Sequence, residues 1–320
     1  MKLGFVDTIL ADYSLEEVLK FASENGFASV EVACWPSRSA EEIAEIRGRS
    51  DIQPSLLNYI LGITHIDVAA LDDARIREIC ELQDRHRVRI SSLAYYANPI
   101  GDSPERASKH LAHYKRMIEM APKIGVDLIT TFMGRDQNLT VEANLGLAIE
   151  FWEPIVQTAE KHGVRIAIEN CPMYFNEAQW PGGQNLMTTP EIWRRVFEAI
   201  PNRNFGLCYD PSHMIFQGID YLKPIYEFSD RIFHVHFKDA KILRNKIDDC
   251  GTMGYPLQYT ALKIPGRGDV NWGSFVSALD DVEYQGDGSI EVEDPAFDGA
   301  DHSIRAALSL SKRYLSQYLI

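Results

Sequence analysis

Eight short apolar runs, each followed by a stretch with helical spacing, limit what this chain of 320 residues can fold into. The runs cover residues 3–6, 28–33, 88–95, 127–132, 164–169, 204–209, 231–237 and 289–293. Short apolar strands alternating with helices indicate a parallel sheet clad in helices, and eight such units indicate a closed barrel. The helices carry their own start signals. Ser14 with Glu17 forms a capping pattern for a helix to Glu24, and Pro104 occupies the first turn of a helix to Ile124. Further helices are expected over 39–47, 71–86, 140–162, 190–199, 221–228, 272–280 and 301–318, whereas 51–67 has no clean period and reads as an irregular insertion. No linker rich in Gly, Ser or Pro divides the chain. The expectation is therefore one α/β domain over 1–320, a single (β/α)8 TIM barrel. Its two long loops, 170–189 and 238–269, follow strands and so lie at the C-terminal face, where barrel active sites sit.

Composition narrows the function. With 32 Lys and Arg against 46 Asp and Glu, the formal charge is −14, which opposes a nucleic-acid surface. No apolar stretch of about 18 residues is present to span a membrane. The N-terminal residues read as a first strand without a long apolar leader. Five cysteines, an odd number without close pairing, point to a reduced, cytoplasmic protein. Apolar rim helices suit a homo-oligomer.

Four consecutive strands deliver metal-ligand side chains to the same rim. Glu169 closes the fifth run, Asp210 follows the sixth with His213 three residues on, His236 closes the seventh, and Glu291 lies in the eighth. Three carboxylates and an imidazole favour an oxygen-preferring divalent ion over a thiolate-bound zinc. His234 and His236 share a face by alternation, one as ligand and the other as support. Glu293 shares the face of Glu291 and competes with it for the last ligand position. Trp35, Tyr95, Tyr96, Asn98 and Phe132 lie near strand ends, where they could stack on or bond a sugar. Arg135, in Gly134-Arg135-Asp136, is expected in an exposed salt bridge, with contact to an anionic group as its other use. Gly266-Arg267-Gly268 is a turn that could meet a phosphate.

The segments Ile168-Glu169-Asn170, Tyr209-Asp210-Pro211-Ser212-His213, His234-Val235-His236-Phe237-Lys238-Asp239, residues 265–272 and Ile290-Glu291-Val292-Glu293-Asp294 together resemble the sugar phosphate isomerase/epimerase family. This is the xylose isomerase-like group of TIM barrels, which includes tagatose 3-epimerase and hydroxypyruvate isomerase. The resemblance covers nearly the whole chain. It implies one divalent ion, Mn²⁺ first and Co²⁺, Mg²⁺, Fe²⁺ or Zn²⁺ as alternatives, held by Glu169, Asp210, His236 and Glu291. It further implies that Glu169 and Glu291 exchange protons with substrate and that His213 contacts it; Trp35, Asn98 and Lys238 complete the expected substrate-binding set. Two positions depart from the ketose-epimerase pattern. Phe175 stands where a further Glu is usual, and Ile242 where an Arg is usual, with Lys241 and Arg244 nearby.

The chemistry expected is proton transfer next to a carbonyl through a metal-stabilised enediolate, as in a sugar isomerase or epimerase. The same site suits β-elimination on a 3-keto-glycoside. An abasic-site endonuclease is disfavoured by the charge and by only nine histidines, several on helices. A non-catalytic sugar binder has no need for paired acid/base carboxylates.

Overall fold

In the computed structural model, which describes residues 1–50, 52, 57, 59, 61–297 and 300–319, the apolar runs are parallel strands that close on themselves. The strands are β1 (Lys2–Val6), β2 (Ser29–Ala33), β3 (Arg89–Tyr95), β4 (Leu128–Thr131), β5 (Arg165–Glu169), β6 (Phe205–Tyr209), β7 (Ile232–Phe237) and β10 (Asp287–Ile290). Their order around the closed barrel is β1-β10-β7-β6-β5-β4-β3-β2. This is the (β/α)8 TIM barrel. Strand order follows chain order, so every C-terminal strand end reaches one rim. The eighth barrel strand is Asp287–Ile290, earlier than the expected 289–293, so Glu291 and Glu293 leave the strand rather than belong to it.

Helices fill the outer layer because each presents one apolar stripe. In α6 (Pro190–Ala199), Ile192, Trp193, Val196 and Phe197 are buried, the i, i+1, i+4, i+5 face of a helix, while Glu191 and Arg194 stay outside. Burying side chains of this size contributes roughly 1.5–3 kcal/mol each. The start signals act as expected. Ser14 and Glu17 form a reciprocal capping box at α1 (Leu15–Glu24), and Pro104 opens α4 (Pro104–Met120). Ser39 and Glu42 repeat the capping box at α2 (Ala40–Arg47). The remaining long helices are α3 (Asp73–His86), α5 (Val141–Lys161), α11 (Trp272–Asp281) and α12 (Asp301–Leu315). The helix expected over 221–228 is shorter, α8 (Lys223–Glu227), and a one-turn helix α7 (Ser212–Ile215) precedes it. Of the insertion expected over 51–67, residues 51, 53–56, 58 and 60 lie outside the described residues.

The loop 238–269 is not irregular. It contains an antiparallel hairpin, β8 (Asp239–Ile242) with β9 (Thr260–Lys263), and between them α9 (Arg244–Cys250) and α10 (Pro256–Tyr259). Its anchor is Asp239, whose buried carboxylate accepts from the backbone N–H of Ala240 (2.9 Å), Gly266 (3.0 Å) and Val270 (3.1 Å) and from Trp272 Nε1 (3.0 Å). The turn Gly266-Arg267-Gly268 therefore wraps this carboxylate, and the Arg267 guanidinium lies over the Phe297 ring at 4.8 Å.

Candidate metal centre

β5 ends on Glu169, and Asp210 is the first residue after β6. Asn170 ties these two strand ends together. Its Oδ1 accepts from Asp210 N (2.7 Å), and its Nδ2 donates to Asp210 O (2.9 Å). The Pro211 turn brings Ser212 N onto Asp210 Oδ1 (2.8 Å), which fixes the carboxylate and carries His213 over it. β7 supplies His236, and Glu291 leaves β10 with its N–H on Phe237 O (3.3 Å). Register shifts fall at Leu207/Cys208 in β6 and at Val30/Glu31 in β2, next to residues of the site. Such irregularities re-aim side chains at barrel rims.

One potential ligand atom from each of Glu169, Asp210, His236 and Glu291 lies within 4.8 Å of the other three, and all four residues are buried. His236 Nδ1 is 3.3 Å from Glu169 Oε1 and 3.4 Å from Glu291 Oε2. His213 Nε2 is 3.4 Å from both Glu169 Oε1 and Asp210 Oδ2. Glu293 stands outside this set, although it reaches the same lysine.

That lysine is Lys238, fully buried, with Nζ 2.6 Å from Glu291, 3.2 Å from Asp210, 3.3 Å from Glu293 and 3.9 Å from Glu169. An ammonium buried this deeply persists only when paired. Burial opposes its charge, but Glu291 and Glu293 outweigh that and raise its pKa. Burial likewise opposes ionisation of Glu169, yet His236 and Lys238 hold its carboxyl well below the usual range. At Glu291 burial is again overcome, chiefly by Lys238, and the pKa is lowered. Glu293 behaves oppositely. Burial, only partly offset by Lys238, pushes its pKa up to about 8.

Asp210 Oδ2 and Glu291 Oε2 face the Lys238 ammonium, at 3.2 and 2.6 Å, and both ring nitrogens of His213 are buried without a hydrogen bond. Buried polar atoms rarely stay so. Three carboxylates and one imidazole converging in this way fit a divalent cation that prefers oxygen.

Glu31 was not singled out by sequence. It sits in the middle of β2, fully buried, and its Oε2 is 2.9 Å from His234 Nε2 and 3.0 Å from His236 Nε2. Its Oε1 accepts from Tyr96 Oη (2.5 Å) and Thr130 Oγ1 (2.8 Å). Burial disfavours its charge, but the two histidines hold the carboxyl well below its ordinary range. By directing Nε2 at Glu31, His236 turns Nδ1, the nitrogen that would bind a metal once its proton is displaced, toward the side where Glu169 and Glu291 converge. A carboxylate amid Ser29-Val30-Glu31-Val32-Ala33 was the available signal, since an acid inside a fully buried strand needs a buried partner.

Above the cluster lies a cleft with about 710 Å³ of open space. Glu169, His213, Lys238, Glu291 and Glu293 form its floor. Its walls are largely aromatic, with Trp35, Tyr59, Tyr96, Phe132, Tyr174 and Phe175 among them. Trp35, His213 and Lys238 are thus placed where a substrate contact was expected. Asn98 is not. Both ends of its amide are spent on the backbone, Nδ2 on Arg135 O (2.9 Å) and Oδ1 on the N–H of Arg135 (2.8 Å) and Gly101 (2.9 Å), so it staples two loops outside the cleft. Tyr95 is also turned away, with its hydroxyl 2.6 Å from His110 Nδ1.

Comparison with known proteins bears on this geometry. The family model described as xylose isomerase-like TIM barrel matches residues 19–314. An uncharacterised protein of Bacillus subtilis, YfiH, is 23% identical over 351 residues, covering 99% of this chain and 100% of that protein. The inosose dehydratase of Geobacillus thermodenitrificans is 26% identical over 197 residues, 60% of this chain and 65% of the dehydratase, just under two thirds of its length. Among solved structures, the IolI protein with a bound zinc atom superposes with a TM-score of 0.69 at 18% identity, covering 100% of this chain and 99% of that one. At that identity the superposition speaks for the fold alone. With most of its length matched by the family model and its eight parallel strands closed in chain order, the chain belongs to the xylose isomerase-like TIM barrels.

Proposed function

We propose that this protein is a divalent-metal-dependent sugar isomerase or epimerase that moves a proton at the carbon next to a carbonyl. The observation that carries the reading is the convergence of Glu169, Asp210, His236 and Glu291, with four potential ligand atoms within 4.8 Å of one another and two of the residues, Glu169 and Glu291, open to the cleft. Zinc in the IolI structure supports a metal in such a barrel, and Mn²⁺, Co²⁺, Mg²⁺ and Fe²⁺ suit the same donors. Bound there, the ion would act as a Lewis acid toward the oxygens of an enediolate, contributing several kcal/mol. Asp210, locked by Ser212 and Asn170, and His236, locked by Glu31, serve as rigid anchors. Glu169 and Glu291 leave strands on different sides of the barrel and stay ionised at neutral pH. One takes the proton from one face of the substrate, and the other returns it, each worth about 10²–10⁴-fold. His213 and Lys238 hold substrate oxygens, and Trp35 packs on the carbon skeleton. The five free cysteines suit a reducing, cytoplasmic setting.

A second reading keeps the site and changes the outcome: enolisation followed by loss of a group β to the carbonyl. The aromatic walls favour it, because Phe132, Tyr174 and Phe175 would receive the apolar aglycone of a keto-glycoside better than a free ketose. The kinship with an inosose dehydratase, an enzyme named for elimination, points the same way. Incubation with free ketoses and with 3-keto-glycosides in D₂O, followed by NMR, tests both. The wild-type protein should place deuterium next to the carbonyl, and Glu169→Gln and Glu291→Gln should each slow exchange by about 10²-fold or more while keeping the fold. Near-normal exchange in both variants would overturn the roles. Aglycone release faster than epimer formation would select the second reading.

A further inference from the structure

Beside the metal-site cleft lies a larger one, with about 1180 Å³ of open space, and the two share Pro172, Tyr174 and Phe216 in their linings. Their electrostatics differ. Three glutamates line the first; the second is lined by two arginines, Arg135 and Arg244, and by no aspartate or glutamate. In a chain of net charge −14 such a surface is not the average one. Arg135 follows β4, and Arg244 opens α9 within the hairpin segment.

Arg135 was expected to sit in a salt bridge, and it does not. Its Nε is buried without a hydrogen-bond partner, and its guanidinium has no ion pair among the described residues. Asp102 and Asp136 line an outer groove with it, but Asp102 is engaged by Arg106 and His110, and Asp136 accepts from Asn138. Its backbone is fixed, since Asn98 clasps both its N–H and its carbonyl. Burial pulls its pKa down, as expected for a desolvated cation without a counter-ion. Arg244, which is solvent-exposed where it lines the cleft, has no carboxylate partner among the described residues. A planar guanidinium whose donors go unused inside a cleft matches an oxyanion, which accepts two parallel N–H bonds.

We propose that Arg135 and Arg244 form an anion subsite, one that takes a phosphate or carboxylate group carried by the substrate whose carbonyl end reaches the metal centre. The subsite itself stands on the two arginines; its link to substrate rests on the function proposed above. Tyr174 and Trp180, which meet edge to face at 5.7 Å, line the same cleft and would flank the part of the ligand nearest the anion.

Titration calorimetry with inorganic phosphate and, separately, with glucuronate tests the proposal on the intact metal-free protein. The wild type should bind at least one of the two saturably, and which one binds separates phosphate from carboxylate. Arg135→Met should weaken that binding about tenfold or more, Arg135→Lys should weaken it less, and the Arg135→Met/Arg244→Met pair should abolish it. Circular dichroism should stay at the wild-type value throughout, as should metal content after reloading with Mn²⁺. No saturable binding of either anion, or binding unchanged in the double variant, would overturn the subsite. Exchange in D₂O measured on the same variants after reloading with Mn²⁺ keeps the two ideas apart. Arginine-dependent anion binding without proton exchange removes the function and keeps the subsite; exchange without anion binding does the reverse.

Discussion

Lys238 and Glu31 hold the candidate centre from opposite sides, one among the carboxylates and one behind the imidazole. Glu31 makes four hydrogen bonds or ion pairs, to Tyr96, Thr130, His234 and His236, so its loss unfixes the ring that presents Nδ1. Glu31→Gln should weaken divalent-metal affinity by about 10–100-fold, the usual effect of removing a carboxylate behind a metal-binding histidine. Competition against a fluorescent chelator measures this, and unchanged affinity would remove Glu31 from the account. Glu293 gives a test by pH. Its pKa is about 8 in the folded protein against an ordinary 4.5. Between those values the folded state keeps a proton that the unfolded chain has released. Its contribution to stability is thus full below the ordinary value and is lost as pH rises through about 8. Glu293→Gln keeps the neutral shape and has no proton to lose. In the metal-free protein, Tm of the variant relative to wild type should rise with pH over this window; a constant difference would show that Glu293 is ionised throughout. The convergence of Glu169, Asp210, His236 and Glu291 was legible because each member sits at or just beyond a strand end on consecutive barrel strands. Glu31 was less so, since its partners His234 and His236 are some 200 residues away and only closure of the barrel brings them near.

At the scale of elements, the hairpin segment shows where local sequence runs out. β8 and β9 are four residues each and 17 residues apart, too short for alternation to separate a strand from a loop. Their pairing is set by Asp239, whose ligands lie some 30 residues downstream. Hydrogen bonds to charged groups contribute about 1.5–3 kcal/mol each. Asp239→Ala should therefore cost about 3 kcal/mol or more and speed hydrogen exchange across the hairpin, loosening the neighbouring Lys238. Equal stability with unchanged exchange would show that the hairpin is held by other contacts. Helices with capping signals were read more closely. Ser14 with Glu17, and Pro104, set the starts of α1 and α4 as expected. The eighth strand ended early because Glu291 and Glu293, though separated by a valine in apparent alternation, serve the cleft from a loop.

At the scale of the whole molecule, the barrel follows from one regularity, eight apolar runs that must each be buried on both faces. Closure brings every strand end to one rim, and that rim turns residues spread from Trp35 to Glu293 into one cleft. Sequence brought out the four converging residues but not the apolar character of the walls above them, because Tyr59, Phe175 and Leu262 reach the cleft from connecting segments rather than barrel strands. The central claim is that this rim holds a divalent ion. The most direct test is metal content per chain after purification without chelator, and again after incubation with Mn²⁺, Co²⁺ and Zn²⁺, for wild type and the Asp210→Ala/His236→Ala variant. The account predicts about one ion per wild-type chain and none in the variant. A wild-type protein that retains no ion under any of these conditions, or a variant that retains as much as wild type, would contradict it.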